Sequence, residues 1–330
     1  MAELGIDLGT ANTVVCEVAR GVVLDVPSVM LLRRVPGRRG RVVAIGREAA
    51  DLLGRTPAGL TALRPLQDGV LTDLETGRAY LREVVRAVGV PLWQRSRRVV
   101  IGVPTGATSL ERRALLEAAD EAGISRATAL DEPIAGALGC GLDPLDHRVH
   151  MVVDAGGGTA EVTAFCFGGI VATRSTRVSG DEMTASVQRH LREHHQLVVD
   201  EGTAEALKIR NGLDDEPGSV VQGRDAGSGR ARLVTVEGAE IAEVLRPITG
   251  SIVSALAGCL DDLSPQALSD LLADGVLAFG GASLTPGFVD GVEQAFGLPV
   301  KRAENPLTCV AEGAARSMQV PGVLGAYGQT

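Results

Sequence analysis

A chain of 330 residues with 45% hydrophobic and 22% charged positions is long enough for two globular domains, each with its own core. A formal net charge of −9 excludes a nucleic-acid backbone as the main partner. The five cysteines, Cys16, Cys140, Cys166, Cys259 and Cys309, are odd in number and lack C-x-x-C spacing, so reduced thiols in a cytoplasmic protein are expected. No run approaches the ~18 apolar residues that span a bilayer. No signal peptide is read ahead of the first strand.

Taken in order, Leu4 to Asp7 reads as a strand ending in a carboxylate. Gly9 and Thr10 turn the chain, and Thr13 to Val18 returns as a second strand. Further strands are predicted over Val22–Leu24 and Ser28–Leu32. The basic run Arg33 to Arg41 reads as a solvated loop, followed by a strand at Val42–Ile45 and a short helix over Glu48–Gly54. Leu74 to Val88 has helical spacing, with Leu74, Leu81, Val85 and Val88 on one face. In the Pro-containing stretch after Gly89, Leu92 and Trp93 precede three arginines, an arrangement open to two uses: an interfacial membrane contact or a loop folded onto the core.

Val99 to Val103 is predicted as a buried strand, with a helix following to Ala122. The strand Ala127 to Leu130 then delivers Asp131-Glu132-Pro133 to a helix over Ile134–Cys140. A carboxylate at that handover can hold a water or simply charge a helix start. Met151 to Val153 is an apolar strand leading into Asp154-Ala-Gly156-Gly157-Gly158-Thr159 and a second strand from Val162. Glycines let a ligand approach the main chain, and inward N–H groups form an anion-binding concavity. Asp154 beside it would repel phosphate unless a cation intervened, which suggests Mg2+ with phosphate. Alone, such a loop could equally be a ligand-free glycine hairpin. It is not alone: Gly5-Ile-Asp7-Leu-Gly9-Thr10 has the same grammar, suggesting an internal duplication with one polyphosphate between the two hairpins.

Farther on, a helix is expected over Glu182–Glu193, with His190, His194 and His195 near its end. No carboxylate or cysteine partner completes a metal set, so they read as part of a surface helix. Thr203 to Arg210 is a helix presenting Glu205 and Lys208 on one side. Residues 212–230 read as a mobile loop or weak hairpin, and Ala239–Leu260 as a helix that Pro247 kinks or divides. Gly275 to Phe279 runs into a third glycine turn, Gly280-Gly281-Ala282. The last helix ends near Val320 and the tail to Thr330 is expected to fray.

The two hairpins, the Asp-Glu-Pro turn and the third glycine turn, in this order, resemble the actin-like ATPase superfamily. Within it the chain looks most like the MreB family of bacterial actin homologues. The likeness runs from Gly5 to about Met318, and its most specific parts are GIDLGTANT, VLDVPSV, LGRTP, RPLQDGV, VPTGATSLERRA, DEPIAGALGCGL, VVDAGGGTAEV and NPLTCVAEG. The resemblance implies an α/β, actin-like two-lobed fold, each lobe built on an RNase H-like mixed sheet with helices, and an ATP cleft between them. Lobe I would span 1–142 and regain the C-terminal helix at about 313–330; lobe II would span 143–312.

By the same resemblance Asp7, Gly9, Thr10, Ala11 and Asn12 form the first phosphate loop. Asp154, Gly156, Gly157, Gly158 and Thr159 form the second, and Asp181 follows it in the Gly180-Asp181 step. Asp7 and Asp154 would hold Mg2+ largely through water. Glu132 would orient the attacking water, with Thr159 assisting, in a slow ATPase reaction. Glu205 and Lys208 match the pair that touches ribose and adenine, and Gly280, Gly281 and Ala282 match the adenosine turn. Leu92 and Trp93 fall where the family inserts apolar residues into membrane, on a chain that is read as lacking an amphipathic N-terminal extension. The implied partners are other copies of the chain in a filament, the inner face of the cytoplasmic membrane and membrane proteins of cell-wall synthesis, with no nucleic acid.

The sequence departs from the family at Phe279, where a glycine is usual, and at Ser179. A phenylalanine there could crowd the base or pack beneath it. These departures motivate the alternative of a nucleotide-binding scaffold that regulates or co-assembles with a polymerising relative. A chaperone-type ATPase or a sugar kinase ranks last, since no peptide-binding domain or sugar-pocket signature is apparent.

Overall fold

The computed structural model describes residues 3–35, 38–89, 98–124, 126–213 and 218–330. Two five-stranded mixed sheets organise it. The first runs, edge to edge, through Ala127–Asp131, Arg98–Val103, Glu3–Leu8, Asn12–Glu17 and Gly21–Pro27. The second runs through Val300–Arg302, Val276–Phe279, His150–Ala155, Ala160–Cys166 and Gly169–Thr176. In each, the middle strand pairs antiparallel with the strand after its glycine turn and parallel with a strand returning from far along the chain. The same order twice is the structural form of the duplication read from the motifs. Strands buried on both faces explain the nearly unbroken apolar runs Val99–Val103 and Met151–Val153.

Local chemistry sets the helix starts. Thr108 and Glu111 form a reciprocal capping box on Ser109–Glu121. Asp73 caps Leu74–Ala87 by accepting from Thr76 N. That helix buries Gly77, Tyr80, Leu81 and Val84, while Leu74, expected on the apolar face, is exposed.

The two sheets are joined by a stack in which glycines remove the side chains between layers. Strand Glu3–Leu8 meets helix Cys309–Ser317 at Gly5, where a Cβ would lie 2.2 Å from Ala315 N. That helix meets Glu132–Gly139 at Gly313, where a Cβ would lie 1.7 Å from Ala135 O. Helix Glu132–Gly139 in turn rests Gly136 on Phe279, whose ring a Cβ would meet at 2.1 Å. Phe279 is fully buried beneath the third glycine turn, among Ile134, Val152 and Phe165. Of the two expectations for this residue, packing beneath the turn is the one the structure shows.

Several expectations are corrected. The basic run is not a loop: Met30–Val35 and Arg38–Ile45 pair antiparallel as the strands of a hairpin, with Arg33 and Arg41, which pair with each other, exposed. Of the two readings of 212–230, the hairpin is the one seen: Ser219–Asp225 pairs with Ala231–Val236 and adds Leu197–Val198, because Ser219 and Val221 alternate inward. Pro247 does not divide its helix, which runs Gly238–Ala257. The segment Gly238–Asp262 is long and apolar enough to cross a membrane by length and composition, contrary to the sequence reading. It buries Ile241, Leu245, Ile252, Val253 and Leu256 at helical spacing in the second lobe's core, as an amphipathic helix packed by one face does. Nor does the tail fray. Val323–Tyr327 is helical, Gln329 exchanges backbone hydrogen bonds with Ala129 at 2.8 and 2.9 Å, and Tyr327 Oη donates to Pro144 O at 3.1 Å.

Phe279→Ala would empty the space against Gly136 and is expected to cost about 3–5 kcal/mol in urea unfolding. A variant as stable as the parent would contradict the joining role of this ring.

Candidate functional site

The cleft between the sheets is lined by the two glycine hairpins, and they face each other. A Cβ on Gly158 would lie 2.7 Å from Thr10 Oγ1 and 2.8 Å from Asp68 Cα, and one on Gly157 would lie 3.1 Å from Ala11 Cβ. The first hairpin, between Glu3–Leu8 and Asn12–Glu17, is held from below by a chain of hydroxyls. Tyr80 Oη donates to Thr13 Oγ1 at 2.8 Å, Thr13 and Ser28 hydroxyls lie 2.8 Å apart, and Ser28 Oγ donates to Gly9 O at 2.6 Å. Thr10 Oγ1 accepts from Gly69 N at 2.8 Å, and Asn12 is exposed.

The second hairpin is closed by Gly156 N donating to Thr159 O at 2.9 Å. Ser179, a departure from the family pattern, is buried with extended backbone, φ −155°, and its Oγ donates to Gly156 O at 2.7 Å. The serine therefore adds a bond that glycine could not make. Asp181 N donates to Gly157 O at 2.8 Å, tying the start of helix Gly180–His194 to the hairpin.

Carboxylates converge between these walls. Asp7 ends its strand in the first sheet, Asp154 occupies the matching position in the second, and Glu132 opens the helix of the joining stack. Burial, followed by the charge of Asp25, raises Asp7 to about 7. Burial raises Glu132 well above the carboxylate range, with Asp7 and Asp154 adding to it, and burial with Glu161 and Asp7 does the same to Asp154. Among the described residues no side-chain hydrogen bond or ion pair engages these three carboxylates. Desolvated oxygens from both lobes, without a basic partner, suit a hard divalent cation that takes oxygen ligands.

Of the residues expected to face adenosine, Glu205 and Lys208 meet at the start of helix Gly180–His194. Lys208 Nζ lies 2.6 Å from Glu205 Oε2, 3.0 Å from Thr184 Oγ1 and 3.1 Å from Gly180 O, and Glu205 also accepts from Thr184. Gly280, at φ +84°, presses on the strand end bearing Asp154, where a Cβ would meet Ala155 O at 2.4 Å. Gly281 is exposed and Ala282 buried in the turn that follows. Leu92 and Trp93 lie outside the described residues.

Sequence reasoning missed the latches that span the cleft. Glu161 is buried, and its two carboxylate oxygens accept from Thr105 N and Gly106 N of the opposite lobe at 2.9 and 3.1 Å. Arg64 reaches Glu201 at 2.5 Å while its other nitrogen donates to Thr10 O at 3.3 Å. Arg177 lies 3.6 Å from Asp68. A glutamate in an otherwise apolar strand was the one signal available for Glu161.

This geometry meets the comparisons with known proteins. The sequence profile of the MreB/Mbl protein family matches residues 1–323. The chain belongs to the MreB/Mbl family. The cell shape-determining protein MreB of Escherichia coli strain K12 is 37% identical over 325 residues, 96% of this chain and 93% of the relative. The cell shape-determining protein Mbl of Bacillus subtilis strain 168 is 35% identical over 315 residues, 94% of each chain. Among solved structures, MreB5 of Spiroplasma citri bound to AMPPNP superposes with a TM-score of 0.87 at 28% identity, covering 96% of both chains. A MamK double helical filament matches with a TM-score of 0.76 at 24% identity, a likeness of fold, covering 97% of this chain and 99% of that one. The two-lobed, mixed-sheet architecture is therefore actin-like, as the motifs implied.

The three raised carboxyls fix the pH response of this MreB/Mbl chain. Each keeps its proton to higher pH folded than unfolded, for Asp7 to about 7 against 3.8. Without a cation, stability should therefore fall as pH rises through that window and stay low above it. Asp7→Asn is expected to flatten this fall and to raise the melting temperature in EDTA at about pH 8, read by scanning fluorimetry. An unchanged profile would show that Asp7 is not under this strain.

Proposed function

We propose that this chain binds ATP with Mg2+ in the cleft, hydrolyses it slowly and assembles into filaments that organise cell-wall synthesis and cell shape. What carries the reading is the opposition of two glycine hairpins around carboxylates drawn from both lobes. The relative from Spiroplasma citri that binds AMPPNP, and the cell shape-determining relatives, support it. The lobe division is taken at 142/143, with the C-terminal helical region returned to the first lobe.

Main-chain N–H groups of Gly9–Asn12 and of Gly157–Gly158 would hold the phosphates from two sides, with Gly156 closing the second hairpin. Asp7 and Asp154 would hold Mg2+, which when bound neutralises charge on the phosphate oxygens. Asp181 would close the second loop, Glu205 and Lys208 would face the ribose and adenine, and Gly280, Gly281 and Ala282 would line the adenosine. Glu132 would orient a water and accept its proton, with Thr159 assisting. A carboxyl whose proton affinity is raised, chiefly by burial, is a stronger base than a free one once a bound cation has ionised it. The Leu92-Trp93 stretch would insert at the inner face of the cytoplasmic membrane, its modest apolar area made sufficient by the many copies in a filament.

Phe279 under the turn and Ser179 bonded to Gly156 O accommodate the two departures that motivated a non-polymerising scaffold. The deciding experiment is ATP-dependent pelleting with and without anionic liposomes, with the pellet imaged by electron microscopy. Filaments are expected. A chain that binds ATP yet stays monomeric with lipid would overturn the reading in favour of that scaffold.

Glu132→Ala is expected to retain nucleotide binding while phosphate release falls at least about tenfold; undiminished release would remove Glu132 from its role. For Trp93→Ala, liposome co-sedimentation should drop with ATP binding unchanged. Equal co-sedimentation would return Trp93 to a packing role.

A further inference from the structure

Helix Gly180–His194 ends in a cluster of imidazoles, and the fold brings a distant carboxylate to it. His190 lies in the last turns of the helix, and His195 is its C-cap. Glu240 stands in the first turn of Gly238–Ala257, 45 residues beyond His195. The ring Nε2 atoms of His190 and His195 lie 2.5 and 2.6 Å from the same Glu240 Oε1. The three ligand atoms lie within 4.8 Å of one another. This overturns the expectation that the histidines have no completing partner: proximity in sequence did not reveal Glu240, but the packing of two helices supplies it.

We propose that His190, His195 and Glu240 form a binding site for a divalent transition-metal ion of the Zn2+ class. Two imidazole nitrogens and one carboxylate oxygen match the donor set that such ions take, at about 2.0–2.2 Å, with a water in the remaining position. Mixed nitrogen and oxygen donors select borderline ions over Mg2+, which demands oxygen. Side-chain exposures of 16% for His190, 22% for His195 and 28% for Glu240 keep the three reachable while leaving room for that water. The ligands sit on or at the ends of two helices, so a shift of a few tenths of an ångström in each side chain opens the cluster around an ion without moving the fold. His194 stacks on His190 with ring centroids 4.4 Å apart and braces that ring from outside the ligand set.

The position gives the ion a task. Between His195 and Glu240 the chain makes the whole three-stranded sheet of Leu197–Val198, Ser219–Asp225 and Ala231–Val236, and the helix Glu201–Leu213 that carries Glu205 and Lys208. A metal joining the two ends clips this unit at its base, as loop closure by a cross-link does.

The test uses the full chain, stripped with EDTA and titrated with Co2+ as a spectroscopic probe and with Zn2+ by calorimetry, without nucleotide. One equivalent should bind, giving the d–d absorption of a low-symmetry nitrogen–oxygen site, and amide exchange should slow across the clipped sheet. His190→Gln with His195→Gln should weaken binding at least about tenfold, the low end of what even an outer ligand partner costs when lost. Glu240→Gln, which keeps the shape and a hydrogen-bonding group, should weaken it likewise while circular dichroism stays that of the parent. Binding undiminished in both variants, absence of Co2+ and Zn2+ binding, equal occupancy by Mg2+, or thiolate-to-metal charge-transfer bands would each overturn the assignment.

Discussion

Like charges held close together, out of water, set the terms for the rest of this molecule. Asp7 and Glu132 come from one side of the cleft, Asp154 and Glu161 from the other, and burial makes Asp7, Glu132 and Asp154 more reluctant to ionise. Such a site is costly by itself and opposes closure of the lobes. The latches from Glu161 to the Thr105-Gly106 backbone, from Arg64 to Glu201 and from Arg177 to Asp68 hold the walls together against that repulsion. A cation with phosphate would turn repulsion into cohesion, so ligand occupancy and lobe closure are expected to be thermodynamically linked.

Much of the fold was legible because its signals are local. Apolar runs ending in a carboxylate and glycines identify the two central strands, and Thr108 with Glu111 marks a helix start. Errors arose where local polarity hid a regular element. Arginines between 33 and 41 suggested a loop, yet strands carry this run, with Arg33 and Arg41 directed to solvent. Pro247 suggested a break, yet its helix draws stability from a buried stripe rather than from propensity.

The candidate site divides in the same way. Residues inside the glycine hairpins announce themselves, since turn geometry and charge occupy a few adjacent positions. Glu161 reads as a stray charge in a strand until the opposite lobe supplies Thr105 N and Gly106 N. Ser28 and Tyr80 look like ordinary core-edge residues until Thr13 links them beneath the first hairpin. Glu240 is invisible for the same reason, its partners lying 45 and 50 residues earlier.

The glycine stack between the lobes has a mechanical consequence. Where Gly313 crosses Ala135 and Gly5 faces Ala315, backbone meets backbone within the first lobe, and Gly136 sets that rigid layer directly on the Phe279 ring of the second. Surfaces in such contact cannot slide past each other without collision, whereas a turn about the contact point changes few distances. The joint beneath the cleft is thus a close backbone-to-ring contact between Gly136 and Phe279. Small rotations there are magnified with distance along the lobes, so the far edges of the molecule move most when the cleft opens or closes.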